Sequence, residues 1–109
     1  MVMDLTKKKC EPCEGGVMPF TNEEAEMHLK YVEKWKLVGN KIEKGFEFKD
    51  FEKAMKFVNK IAVVAEREGH HPNILIHSWN KVKLEIYTHA IGGLSINDFI
   101  LAAKIDKIK

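Results

Sequence analysis

A chain of 109 residues has room for one hydrophobic core, and folding at this size buries roughly two-thirds of the surface of the unfolded chain, enough to hold without disulfide staples. With 45% hydrophobic and 31% charged residues and a net charge of only +2, the composition excludes a disordered or fibrous chain. Its scattered lysines argue against direct nucleic-acid binding, which concentrates basic residues on one face. No run approaches the roughly 20 apolar residues of a membrane span. Met1 to Lys9 is basic but lacks the apolar segment of a secretory signal, so a cytoplasmic protein with no membrane partner is expected.

Residues 1–20 read as an irregular arm, punctuated by Pro12, Gly15, Gly16 and Pro19, and residues 21–109 as a single domain. Lys7-Lys8-Lys9 reads as a solvated tail. The arm carries both cysteines in one Cys10-Glu11-Pro12-Cys13. A zinc site needs four ligands and a second cysteine pair is absent. A redox pair normally opens a helix after a strand, whereas this one precedes Gly15-Gly16 in a polar leader. A structural or incidental role is expected, with metal binding as the alternative.

Thr21-Asn22-Glu23-Glu24 has the form of a capping box and predicts a helix to about Lys34, with Ala25, His28, Leu29 and Val32 on one stripe. His28 reads as a helix-face residue. Trp35 to Val38 and Ile42 to Phe48 predict two strands about a Gly39-Asn40 turn, with Phe46 and Phe48 facing one way. Trp35 is expected in the core. Asp50 caps a long helix whose apolar positions are Phe51, Ala54, Met55, Val58, Ile61, Ala62 and Ala65, and Gly69 stops it. Pro72 drives His71 towards an extended conformation. Strands at about Ile74 to Trp79 and Val82 to Thr88 follow, joined near Asn80-Lys81, with Val82, Leu84 and Ile86 on one face. Ser95-Ile96-Asn97-Asp98 caps a last helix that buries Phe99, Ala102, Ala103 and Ile105.

The order is α-β-β-α-β-β-α. Alternating strands need one covered face and three amphipathic helices can cover it, so an α+β sandwich is expected: three helices on one face of a four-stranded antiparallel sheet. The opposite face and any free edge strand are surfaces for self-association.

Chemistry concentrates in histidine. His70 and His71 lie just past a helix end, and His89 lies where a strand ends. Imidazoles are suited to moving protons near neutrality. Glu66 lies one turn before His70 and is placed to orient that ring. Surface histidines and a tri-histidine metal site are the alternatives. Adjacent residues of an extended segment point opposite ways, which counts against His70 and His71 sharing one ion. His77 reads as a strand residue, and Trp79 as packing rather than a stacking platform.

Glu66-Arg67-Glu68-Gly69-His70-His71-Pro72, then Trp79-Asn80-Lys81-Val82, then Thr88-His89-Ala90-Ile91-Gly92-Gly93-Leu94-Ser95 with Asp98, form a long ordered set of motifs. Together with Phe46-Glu47-Phe48-Lys49-Asp50-Phe51, they resemble the pterin-4a-carbinolamine dehydratase family over roughly residues 21–106. The resemblance implies dehydration of a 4a-hydroxytetrahydropterin to quinonoid dihydropterin and water, without metal or organic cofactor, in support of tetrahydropterin recycling. It also implies a homodimer or homotetramer. By position, His70, His71 and His89 match the three active-site histidines, and Glu66, Thr88, Ala90 and Asp98 match the groups around the pterin. The segment between Pro72 and Trp79 is about one residue longer than in animal members, which predicts a bulge in that hairpin. Animal members also act as dimerisation cofactors of a homeodomain transcription factor. The alternative function is therefore a non-catalytic pterin-binding or oligomerisation-stabilising partner.

Overall fold

Alternation of apolar and charged residues lays down the sheet. In the computed structural model, which describes residues 4–11 and 18–108, strands β1 (Lys36–Val38), β2 (Lys41–Glu47), β3 (Asn73–His77) and β4 (Lys81–Ile86) pair antiparallel in the order β1-β2-β4-β3. Ile42, Val82, Leu84 and Ile86 point to one face and are closed to solvent. Lys41, Glu43, Lys83 and Glu85 take the other face, where Lys41 pairs with Glu85 at 3.0 Å and Lys83 with Glu43 at 3.6 Å. A slip of one residue would exchange these two sets, so burial of one face sets the register.

Three α-helices cover the apolar face: α1 (Asn22–His28), α2 (Phe51–Glu68) and α3 (Ile96–Asp106). Each begins at an expected cap: Thr21 and Ser95 make full capping boxes with Glu24 and Asp98, and the Asp50 side chain accepts from the Lys53 N–H. The first helix is shorter than its sequence suggests, ending at His28 and continuing as a 3-10 turn over Leu29–Tyr31. His28 packs there among Phe20, Tyr31 and Phe99, as a helix-face residue. Trp35 is buried, and its indole N–H donates to Asp106 at 2.9 Å.

The buried stripe of α2 departs from expectation. It consists of Ala54, Phe57, Ile61 and Ala65, while Phe51 is 54% exposed and Ala62 is exposed. Phe46 and Phe48 both meet the Phe57 ring, at 4.7 and 4.9 Å between centroids, and this contact turns the helix. Nor does the second hairpin carry a bulge. Pairing runs unbroken from Asn73–Glu85 to His77–Lys81, and the turn that closes it holds Ser78 (φ 49°) and Trp79 (φ 56°) left-handed. Trp79 is 63% exposed at that tip and packs on no core, contrary to its sequence reading.

In the described part of the arm, a 3-10 helix over Leu5–Lys7 packs against α3. Leu5 and Cys10 are buried there, while Lys7, Lys8 and Lys9 are exposed. This cover explains why α3 is buried nearly all round, from Asn97 to Ala103 and again at Ile105. Cys13 lies outside the described residues. Among the described residues, no helix is long and apolar enough to cross a membrane.

Candidate active site

Two backbone reversals build the site. At the end of α2, Gly69 adopts φ 65°, a left-handed cap that glycine reaches without strain, and its N–H closes on the Ala65 and Glu66 carbonyls. The chain then turns His70 back towards α3. After β4, Thr88 and Gly93 form an isolated bridge, with the Thr88 N–H donating to the Gly93 carbonyl at 2.8 Å. The bridge pinches off a short 3-10 turn, His89–Ile91, whose His89 and Ala90 stand in solvent. The Asn40 side chain holds the rim of that turn through the Gly92 carbonyl at 3.1 Å.

Asp98 joins the two reversals. Its carboxylate is fully buried and receives donors on both oxygens. His70 Nε2 lies 2.6 Å from Oδ1, while the Thr88 hydroxyl and the Ser95 N–H reach Oδ2 at 2.9 and 2.8 Å. The Thr88 and Ser95 hydroxyls also touch, at 3.0 Å. A buried charge is tolerated only when its lone pairs are filled in this way. A carboxylate only accepts, so Nε2 of His70 carries a hydrogen and Nδ1 is the nitrogen left for chemistry.

The remaining histidines differ. His71 is exposed and bonds to Glu66 through Nε2, so Glu66 orients His71 and not His70, contrary to the sequence expectation. Five residues apart across the left-handed cap, these two come together because the chain doubles back at Gly69. The His89 ring lies 4.2 Å from that of Tyr87, which holds it at the end of β4. His77 sits at the far end of β3 from His71 and lines a cleft on the open sheet face with Lys36, Gly45 and Lys83. Among the described residues, no three His, Cys, Asp or Glu side chains converge as a metal-holding group. Sequence reasoning identified Ser95 as a cap but missed that its hydroxyl also joins Thr88. The Thr88–Ser95 spacing across a double glycine was the available signal.

The family model for pterin 4 alpha carbinolamine dehydratase matches residues 18–108. The chain belongs to this family. A dehydratase-family relative from Nitrosomonas europaea is 54% identical over 109 residues, covering 98% of this chain and 95% of its own. The mitochondrial pterin-4-alpha-carbinolamine dehydratase 2 of Arabidopsis thaliana is 43% identical over 111 residues, covering 97% of this chain and 59% of its own. Among solved structures, the transcriptional coactivator/pterin dehydratase of Brucella melitensis superposes with a TM-score of 0.74 at 30% identity, covering 80% of this chain and 94% of that one. The pterin dehydratase match thus includes every histidine and carboxylate of the site described above.

Proposed function

We propose that the protein dehydrates a 4a-hydroxytetrahydropterin to quinonoid dihydropterin and water, in support of tetrahydropterin recycling. The observation that carries this reading is the buried Asp98 hub, which links His70 to Thr88, the residue before His89, in a member of the pterin dehydratase family. In the step itself the C4a–O bond breaks and the departing oxygen takes a proton from an imidazolium. The N5 lone pair forms the N5=C4a double bond, and the N5 proton passes to a neutral imidazole. His70 and His89 exchange these acid and base roles according to the face of the pterin presented. His71, held by Glu66, supports and polarises the ring, and Ala90 lines its edge.

Asp98 and Thr88 have their polar atoms spent inside the protein. Their role in this reading is to fix the His70 tautomer and direction, so that Nδ1 faces the substrate. Groups so placed contribute on the order of 10² to 10⁴ in rate. Assembly as a homodimer or homotetramer goes with the reading, and edge strand β3, with exposed Ile74 and Leu75, offers a contact for it. The deciding assay generates the 4a-hydroxy pterin in situ and follows quinonoid dihydropterin absorbance with and without protein. Acceleration that vanishes in His70→Ala supports the reading, and no acceleration by the wild type ends it.

The Brucella neighbour's double description favours a second reading, a non-catalytic partner that stabilises another protein's oligomer. Pterin binding without acceleration, together with a partner retained on immobilised protein, is the pattern that reading expects.

A further inference from the structure

At Cys10 and Glu11 the arm crosses the seam between α2 and α3. The Cys10 N–H donates to Glu68 Oε1 at 2.9 Å, in the last turn of α2 and two residues before His70. The Cys10 thiol donates to the Asn97 carbonyl at 3.4 Å, in the first turn of α3 and one residue before Asp98. Asn97 then grips the next arm residue with both ends of its amide: the Glu11 N–H donates to Oδ1 at 3.0 Å, and Nδ2 donates to the Glu11 carbonyl. Glu68 Oε2 takes the Lys104 ammonium of α3 at 2.7 Å. Glu68 and Asn97 are both buried, and Leu5, fully buried, anchors the strap upstream.

Residues 10 and 11 therefore tie together the two short segments that carry His70 and Asp98. A flap that only covered apolar surface would need Leu5 and little else. This one spends directional bonds on the two turns flanking the site. We propose that Glu68 and Asn97 are positioning residues for the His70–Asp98 pair, with Cys10-Glu11 as the strap that holds the ends of α2 and α3 at a fixed separation. The catalytic consequence rests on the dehydratase reading, whereas the geometric claim does not. Misplacing a reacting group by about 1 Å costs on the order of 10²-fold in rate, so a strap that removes that freedom acts on turnover. Burial, reinforced by the Glu68 carboxylate, pushes the Cys10 thiol up to about 12, so the sulfur keeps the hydrogen it donates to Asn97.

The test is Asn97→Ala in the full chain, with Cys13→Ser so that a single thiol is read. Three quantities are measured: labelling of Cys10 by a disulfide reagent, the His70 Nε2–H proton resonance without substrate, and kcat and KM for dehydration. Labelling is expected to quicken at least roughly tenfold, the resonance to move upfield or vanish, and kcat to fall about tenfold with KM unchanged. A folded variant whose His70 resonance stays at the wild-type position overturns the proposal, whether labelling is fast or slow. A lost resonance with unchanged kcat overturns its catalytic part. Glu68→Ala undoes the other end of the strap and carries the same readouts should Asn97→Ala not fold. A wild type that dehydrates no pterin defeats the dehydratase reading alone, since the resonance still decides the strap.

Discussion

His70 Nε2 and Asp98 Oδ1 lie 2.6 Å apart, joining residues 28 positions distant in the chain, and the carboxylate side of the contact is closed to solvent. Asp98→Ala would remove the acceptor shared by three donors, on His70, Thr88 and Ser95. A loss of about 2–5 kcal/mol is expected in urea unfolding. Asp98→Asn keeps the shape but presents an N–H to His70, turning the ring to the wrong tautomer. It is expected to fold and to lose at least about tenfold in turnover. An Asp98→Asn protein with full turnover would separate the carboxylate from the chemistry.

His89 is exposed and its ring touches Tyr87, so its removal tests chemistry with little disturbance of the fold. His89→Ala is expected to stay within about 0.5 kcal/mol of wild-type stability while turnover falls at least about tenfold. His70→Ala should match it in rate but also lose stability, because it leaves Asp98 Oδ1 without its donor. Wild-type turnover in the double variant would dispose of both assignments.

Gly93 sits in the bridge that closes the His89 turn. A Cβ built there falls 2.7 Å from the Pro19 Cβ, and neither the bridge nor the proline ring yields easily. Gly93→Ala is expected to cost about 1–3 kcal/mol and to disturb the turn that presents His89. Denaturant midpoints and the His89 ring resonances check this; an unshifted midpoint would mean that Pro19 moves aside freely.

The strap is expected to respond to pH at both extremes. Burial pushes the Glu68 carboxyl up, but the Lys104 ammonium and the Cys10 N–H outweigh it and leave it below the ordinary 4.5. A depressed folded value means that its contribution is complete above 4.5 and is lost as pH falls through the folded value. Cys10 behaves in the opposite sense. Its thiol rises from 9.0 to about 12, so its contribution is complete below 9.0 and is lost as pH climbs towards about 12. Leu5 methyl resonances should therefore report a docked arm between these limits and release outside them. Glu68→Gln is expected to abolish the acid limb and, by removing the charge that helps hold the Cys10 thiol up, to move the alkaline limb to lower pH; an unchanged acid limb would assign it to another carboxylate.

Much of the fold could be read locally. Capping boxes at Thr21 and Ser95, the left-handed stop at Gly69 and the alternation of Val82, Leu84 and Ile86 each depend on neighbours within a few residues, and each appears where its chemistry places it. On α2, spacing places Ala54, Ile61 and Ala65 in the core and Val58 against it, whereas the burial of Phe57 answers to Phe46 and Phe48, which lie outside the helix. The exposure of Trp79 is not legible locally, because hydrophobicity says nothing about a left-handed turn that lifts a side chain off the surface.

Within the site, residue types and their order along the chain marked the histidines and carboxylates, since proton chemistry demands those groups. Their partnership was decided only in three dimensions. Glu66 lies one helical turn from His70 in sequence, yet it meets His71, because the left-handed cap at Gly69 reverses the chain and sends His70 to Asp98. The same holds for the arm, where nothing near Cys10 announces Glu68 or Asn97. Periodicity and capping act over a turn or two of backbone, so the sequence alone determined the elements and the inventory of reactive groups. Which group faces which depends on how whole elements pack, a matter of contacts between residues far apart in the chain.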